Sequence, residues 1–128
     1  MSYYISKIVA ITFDEAVSRV TDELKKEGFG ILTEIDVGQT LKKKLTVDFR
    51  KYKILGACNP SLAYKALQAE DKIGVMLPCN VIVQETPDGK VEVSSIDPIA
   101  SMQAVNNSGL KELAEEVRDK LKKVIENL

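Results

Sequence analysis

The sequence predicts a single domain of the α/β class, of the α+β type, in which helices flank a mixed β-sheet. Two observations support this prediction. Segments rich in β-branched residues alternate with amphipathic helical segments, in the order β-α-β-α(short)-β-α-β-β-α. The chain has 128 residues, of which 45% are hydrophobic. That length suits one domain spanning 1–128, which should bury roughly two-thirds of its unfolded surface.

The first strand and the first helix adjoin each other. Residues 3–11 are rich in β-formers and predict the strand. Thr12, with Glu15 three residues later, has the spacing of a capping box, and Gly28 has the residue type that ends helices. The apolar residues between them recur at helical spacing, which predicts an amphipathic helix that covers the sheet.

A second strand and a short helix follow. Residues 29–37 alternate imperfectly between apolar and polar types, which predicts a strand ending at Gly38. Leu41 and Leu45 are four positions apart around three lysines, so a short helix is expected within 39–49.

The third strand, 52–58, leads directly into a helix. Asn59 is a good N-cap and Pro60 is a good first helical residue. Residues 75–85 and 90–96 predict two further strands, joined by the turn sequence Thr86–Gly89.

The last helix has the clearest periodicity in the chain. It is expected to begin near Ser108, because apolar residues then recur at spacings of three and four. Its predicted apolar face consists of Leu110, Leu113, Val117, Leu121, Val124 and Leu128.

Composition excludes several classes of function. The 18 basic and 19 acidic residues nearly cancel, so we do not expect nucleic acid as a partner. The chain has no histidine, which excludes Ser/His/Asp and Cys/His enzymes. It also lacks the glycine-rich phosphate-binding motifs and any CxxC pair.

The N-terminal residues and the cysteine usage predict a cytoplasmic protein. No charged start precedes a long apolar stretch, and no apolar run approaches the roughly 18 residues of a membrane helix. We therefore expect no membrane partner. Two cysteines spaced 21 positions apart are expected to be reduced thiols.

Cys58 and Cys79 are the first candidate site residues, because each adjoins a proline-containing corner at a strand end. If the strands are neighbours, the two thiols could form a redox pair or bind a thiophilic metal such as zinc or Cu(I). The alternative is structural. Cys79 shares strand parity with Val81 and Val83, and free cysteines are often simply buried.

Asn59, Pro60 and Asp97 complete the candidate site. The first turn of a helix at Asn59-Pro60 has free N–H groups that attract anions, and Asp97 would add a carboxylate if its strand returns beside the third strand. The structural alternative is that Asn59 caps its own helix and that Asp97-Pro98 is an ordinary turn.

Two other features have a structural interpretation that we favour. Six cations within twelve residues resemble a phosphate- or RNA-binding patch, but a solvated helix face beside a lysine-protected strand edge also explains them. These cations are Lys42, Lys43, Lys44, Arg50, Lys51 and Lys53. Met76 and Met102 flank the proline corners and would soften a pocket wall, although methionine usually fills cores.

Four segments together resemble the domain-of-unknown-function 302 family, and they span nearly the whole chain in the correct order. They are Phe29–Val37, Ile54–Pro60, Leu77–Val81 and Ile96–Pro98. The resemblance implies a compact α/β domain with the TT1751-like fold and a homodimer. It implies no established activity, so the matching positions enter only as a signature: Cys58, Asn59, Pro60, Pro78, Cys79, Asp97 and Pro98.

The main functional hypothesis is a non-catalytic, homodimeric binding or regulatory module. Its small-molecule or metal site is expected near Cys58, Asn59, Pro60, Cys79 and Asp97, and the two cysteines are the metal-ligand candidates. One alternative is a thiol-dependent enzyme or redox protein, whose cysteine nucleophile would need activation by a helix N-terminus, lysine or arginine. Another is a purely structural dimerisation domain. The sequence identifies no cofactor.

Overall fold

A computed structural model describes residues 2–128. Its five strands are β1 (Tyr4–Val9), β2 (Gly30–Asp36), β3 (Tyr52–Cys58), β4 (Cys79–Glu85) and β5 (Val91–Ile96). Its α-helices are α1 (Phe13–Lys26), α2 (Val37–Leu45), α3 (Pro60–Ala69), α4 (Pro98–Ser101) and α5 (Ser108–Glu126). A 3-10 helix spans Asp71–Met76.

The strands form one sheet in the order β1-β5-β4-β3-β2, and helices flank it. This confirms the predicted fold class. All four strand pairings are antiparallel, however, so the sheet is not mixed as expected. The reason is the crossover through α1, which carries the chain from one edge of the sheet to the other. β1 and β2 run in the same direction, but three strands separate them and they do not pair.

One face of the sheet, the inner face, packs against α1 and α5. Its side chains come from alternate strand positions, and α1 contributes one stripe at helical spacing. The core residues on the strands are Val9, Leu55, Ala57, Val81, Val83, Val91 and Val93. The helices contribute Phe13, Ala16, Val20, Leu24, Leu121, Val124 and Ile125.

The opposite face, the outer face, consists of the remaining strand positions. It is lined by Tyr4, Ser6, Ile8, Ile35, Tyr52, Ile54, Asn80, Ile82, Gln84, Glu92, Ser94 and Ile96. Tyr4, Ile8 and Ile35 remain about half exposed, at 46%, 50% and 47%. A shallow cleft of about 410 Å³ lies on this face.

The segment before β4 differs from the prediction. A strand was expected from residue 75, but Met76 ends the 3-10 helix and β4 begins only at Cys79. Ile73 is buried in a small second core with Ala66 and Leu110, so tertiary packing overrides the strand-like composition of this run. The short helix α4 was not predicted either, whereas β3, α3 and α5 begin where the sequence indicated.

Candidate functional site

Three strand termini meet at one end of the sheet. Cys58 ends β3, Cys79 begins β4 opposite Ala57, and Asp97 directly follows β5. β3 and β5 both pair with β4 in the antiparallel sense, so their C-terminal ends lie beside the N-terminal end of β4. The fold thus brings the three predicted corners to the same end of the sheet.

Both cysteines line one small apolar cavity of about 40 Å³ below this end of the sheet. Asn59, Pro78 and Met102 also line it, whereas Pro60 and Asp97 do not. The remaining wall is formed by apolar side chains, among them Phe29, Leu62, Leu77, Leu110, Leu113 and Val117. A volume of about 10–15 Å³ holds one water molecule, so this cavity has room for an ion or for very few atoms.

A second, more open cleft of about 300 Å³ adjoins the first. The two hollows share Pro78, Cys79 and Met102, and the cleft adds Met76 and Ser101. The Leu77–Pro78 peptide bond between them is cis.

Cys79 lies on the inner face, in register with Val81 and Val83, as strand parity predicted. Burial raises the pKa of its thiol to about 11, and the nearby Cys58 adds to that increase. Both cysteines are free thiols. Cys79 is therefore protonated at neutral pH, unlike an activated thiolate.

The Asn59 side chain makes two hydrogen bonds that stabilise the fold. Its Oδ1 accepts a hydrogen bond from the Leu62 N–H at 3.3 Å, which caps α3, and Pro60 is the first residue of that helix. Its Nδ2 donates to the Glu27 carbonyl at 3.2 Å, just after α1. Gly28 adjoins this contact with a positive φ of 86°, and a Cβ there would lie 2.9 Å from Asn59 Nδ2. The amide thus joins two helix ends.

Asp97 is buried, and its carboxylate makes contacts that stabilise the fold. Oδ1 accepts a hydrogen bond from the Ile99 N–H at 3.0 Å, which caps α4, and Oδ2 lies 3.6 Å from Arg118 Nε on α5. The carboxylate therefore contacts α5 and does not line the cavity beside the cysteines.

Several of the clustered cations have partners in the structure. Lys42 pairs with Asp48 at 2.9 Å, and Lys53 pairs with Glu34 at 2.8 Å. The Arg50 guanidinium lies 4.3 Å from the centre of the Phe49 ring. These contacts fit the solvated, edge-protecting interpretation of the basic segment.

The helical wall of the cavity was not recognised as part of a site in the sequence. Leu110, Leu113 and Val117 were predicted only as an apolar helix face, and Phe29 only as the start of a strand. Periodicity shows that such residues face a core, but it does not show which strand end lies opposite them. Met102 was noted in the sequence, although nothing there placed it in the same cavity as Cys58.

Within residues 2–128, no group of three or more histidine, cysteine, aspartate or glutamate residues is arranged to hold a metal ion. Within the same range, none of the helices combines the length and the apolar character needed to cross a membrane.

Comparison with known proteins identifies relatives without an assigned activity. An uncharacterized protein of Aquifex aeolicus (strain VF5) is 29% identical over 94 residues, which cover 73% of this chain and 59% of that protein. The crystal structure of an uncharacterized conserved DUF302 protein from Bacillus stearothermophilus matches with a TM-score of 0.92 and 28% identity, over 98% of each chain. Residues 5–128 match the family described as domain of unknown function DUF302. Since that match spans nearly the whole chain, the protein belongs to the DUF302 family, as the four sequence segments indicated.

Proposed function

We propose that this protein is a non-catalytic binding module that holds a compact ligand in the cavity between Cys58 and Cys79. One observation carries the proposal: two cysteine residues that are 21 positions apart in the sequence line the same apolar cavity. A site with few polar groups in an apolar wall is typical of ligand pockets. Two free thiols also suit a reducing compartment, so we place the module in the cytoplasm.

The cavity volume restricts the ligand. Pockets for drug-sized molecules measure roughly 300–1,000 Å³, whereas this cavity measures about 40 Å³. A metal ion or another ligand of very few heavy atoms fits the cavity, and a larger molecule would have to extend into the neighbouring cleft of about 300 Å³. We therefore favour the metal over the small molecule among the ligands predicted from the sequence.

The chemistry of Cys79 argues against thiol-dependent catalysis. A thiol-dependent enzyme needs a thiolate at neutral pH, but burial raises the pKa of Cys79 to about 11. The absence of histidine from the sequence removes the usual general base. The thiol-dependent enzyme is therefore the weaker alternative.

Native mass spectrometry of the purified protein tests the binding proposal. We expect a native mass above that of a whole number of bare chains, and we expect the excess mass to disappear in Cys58→Ser and Cys79→Ser. The control is Ser18→Ala, an exposed position on α1, which should keep the excess mass. Bare chains in the wild type, or an excess mass that both cysteine variants keep, would contradict the proposal.

A second observation favours self-association through the outer face, and the family resemblance separately implies a homodimer. Tyr4, Ile8 and Ile35 are about half exposed there. Helix α2, which follows β2, has no buried residue, and Leu45 in its last turn is 65% exposed. A nine-residue helix is marginal in water without packing, so cover by a second copy would stabilise it.

Sedimentation equilibrium tests the dimer. We expect the wild type to have twice the mass of one chain, and we expect Ile35→Glu to dissociate it by placing a charge in the interface. Val75→Glu is the matched control, because Val75 is 88% exposed on the 3-10 helix, away from the outer face. A monomeric wild type, or dissociation by both substitutions alike, would argue against this interface.

A further inference from the structure

Three hollows meet at this end of the sheet. The cavity of about 40 Å³ adjoins the cleft of about 300 Å³ described above. A further cleft of about 380 Å³, between α4 and the start of α5, also adjoins the cavity. Among residues 2–128, only Met102, the C-cap residue of α4, lines all three hollows. Met102 therefore lies at the junction of the cavity and the two clefts.

The boundary between the cavity and the cleft of about 300 Å³ consists of Pro78, Cys79 and Met102. The first two residues are fixed by the sheet. A Cβ on Gly56 would lie 2.8 Å from Pro78 Cγ, so the proline ring packs directly against the backbone of β3. Cys79 is the first residue of β4 and pairs with Ala57. Moving either residue out of the boundary would disturb the sheet.

The boundary with the cleft of about 380 Å³ consists of Met102, Leu110 and Ala114. Leu110 is 2% exposed and belongs to the small second core, and Ala114 is 5% exposed and has no side-chain rotamers. Met102, in contrast, is only partly buried, and methionine is unbranched with three rotatable side-chain bonds. Met102 is therefore the movable member of both boundaries.

The backbone around Met102 is held in place, so movement is confined to its side chain. The Met102 N–H donates a hydrogen bond to the Pro98 carbonyl at 3.0 Å. The segment is also anchored on both sides, because Asp97 caps α4 and Asn107 Nδ2 donates to the Ala69 carbonyl at 2.8 Å. Rotation of the Met102 side chain requires none of these hydrogen bonds to break.

We propose that Met102 sets the size limit of the ligand by closing the cavity off from the two clefts. The inference rests on the proposed binding function and assigns a residue that determines its specificity. With Met102 in place, the cavity of about 40 Å³ accepts an occupant of very few heavy atoms, and rotation of the Met102 side chain opens it for entry. Without that side chain, the cavity and the clefts form one pocket in the range of roughly 300–1,000 Å³ that suits drug-sized molecules. Because the cavity wall is apolar, the molecules that Met102 excludes are larger apolar ones.

Benzene titration of the full chain, followed by methyl NMR, tests this size limit. Benzene fills dry apolar cavities of roughly 150 Å³, which is larger than the closed cavity of about 40 Å³. Leu113 and Val117 line the cavity, so their methyl signals report benzene bound there. We expect Met102→Ala to bind benzene at least about tenfold more tightly than the wild type, which corresponds to ~1.4 kcal/mol.

Two variants control for the effect of the substitution itself. Met102→Leu conserves the volume of the side chain, so it should bind benzene as weakly as the wild type does. Met76→Ala makes the same truncation in the open cleft, where Met76 does not line the cavity, and it should also leave benzene binding weak. Met102→Val, a smaller truncation, replaces Met102→Ala if that variant does not fold.

The outcomes separate this inference from the binding function itself. Equal benzene affinity in Met102→Ala and the wild type, or an equal gain in Met76→Ala, would overturn the assignment of Met102. If that happens while native mass spectrometry still finds a cysteine-dependent occupant, the size limit fails and the binding function stands. If only Met102→Ala gains benzene affinity but no such occupant is found, the size limit stands and the binding function fails.

Discussion

The inner and outer faces of the sheet use the same five strands but have different surroundings. On the inner face, Leu55, Val81 and Val83 are at most 1% exposed beneath α1 and α5. On the outer face, Tyr4, Ile8 and Ile35 are about half exposed. Since the hydrophobic contribution of a side chain scales with the area it removes from water, the inner face holds the fold together. The outer face retains apolar area that a partner can still bury.

The largest expected effect is the difference in free energy of unfolding between two truncations, one on each face of the sheet. We expect Leu55→Ala to lower the free energy of unfolding by ~2–5 kcal/mol, because it leaves a cavity in the core. Ile35→Ala should cost less than ~1 kcal/mol, because that side chain is already half exposed. Urea denaturation at a protein concentration low enough to keep the chain monomeric measures both values. If both variants lose similar amounts of free energy of unfolding, the two faces do not differ in their contribution to stability.

The reactivity of Cys79 tests how well the inner face excludes water at the candidate site. With its pKa raised from 9.0 to about 11, the folded thiol has far less thiolate at pH 8 than the unfolded thiol. We expect its alkylation by iodoacetamide to be slower by roughly a hundredfold in the folded state, and to speed up as the pH rises toward the folded pKa.

The measurement uses Cys58→Ser, so that all labelling reports on Cys79, and the same protein in denaturant is the reference. Because the raised pKa disfavours the thiolate in the folded state, the free energy of unfolding should also fall between pH 9 and pH 11. Equal alkylation rates in the folded and unfolded states would show that Cys79 is accessible to solvent.

Gly56 tests a position where the outer face is tightly packed. A Cβ there would overlap Thr33 Oγ1 and lie 2.8 Å from Pro78 Cγ. We expect Gly56→Ala to lower the free energy of unfolding by ~1–3 kcal/mol, as overpacking does. Adding Thr33→Ala should recover part of that loss in a double-mutant cycle.

Gly30→Ala is the control for Gly56→Ala, because it lies on the neighbouring strand β2 and no atom lies within 4 Å of the added Cβ. Its effect on the free energy of unfolding should be small. If both alanine variants lose the same free energy of unfolding, strand propensity explains the effect and the close approach of Thr33 does not.

The smallest of these effects on the free energy of unfolding should come from substitution of Asn59, which lies between the end of β3 and the start of α3. Asn59→Ala removes the cap of α3 and the hydrogen bond to the Glu27 carbonyl, and we expect a loss of ~1 kcal/mol in thermal or urea unfolding. Asn59→Asp keeps an acceptor for the Leu62 N–H but lacks the donor, so its loss should be smaller. A larger loss in Asn59→Asp than in Asn59→Ala would contradict this division of roles.

Local sequence features predicted most of the individual elements. Thr12 and Glu15 form the predicted capping interaction, with the Glu15 N–H 3.1 Å from Thr12 Oγ1. Asn59 caps α3 as expected, because a cap depends on residues within one turn of one another. The run at residues 75–76 misled the prediction, since its apolar side chains suit a strand as well as the end of a 3-10 helix.

Most of the element types, the capped helix starts and the lack of histidine chemistry could be predicted from the sequence, because these depend on neighbouring residues or on composition alone. The fold was needed to show that all strand pairings are antiparallel, that Cys58, Cys79 and Met102 line one cavity, and that Asp97 contacts Arg118. These features arise because strand order and helix docking bring together residues that are far apart in the chain. Periodicity shows which side of an element is buried, but not what is packed against it.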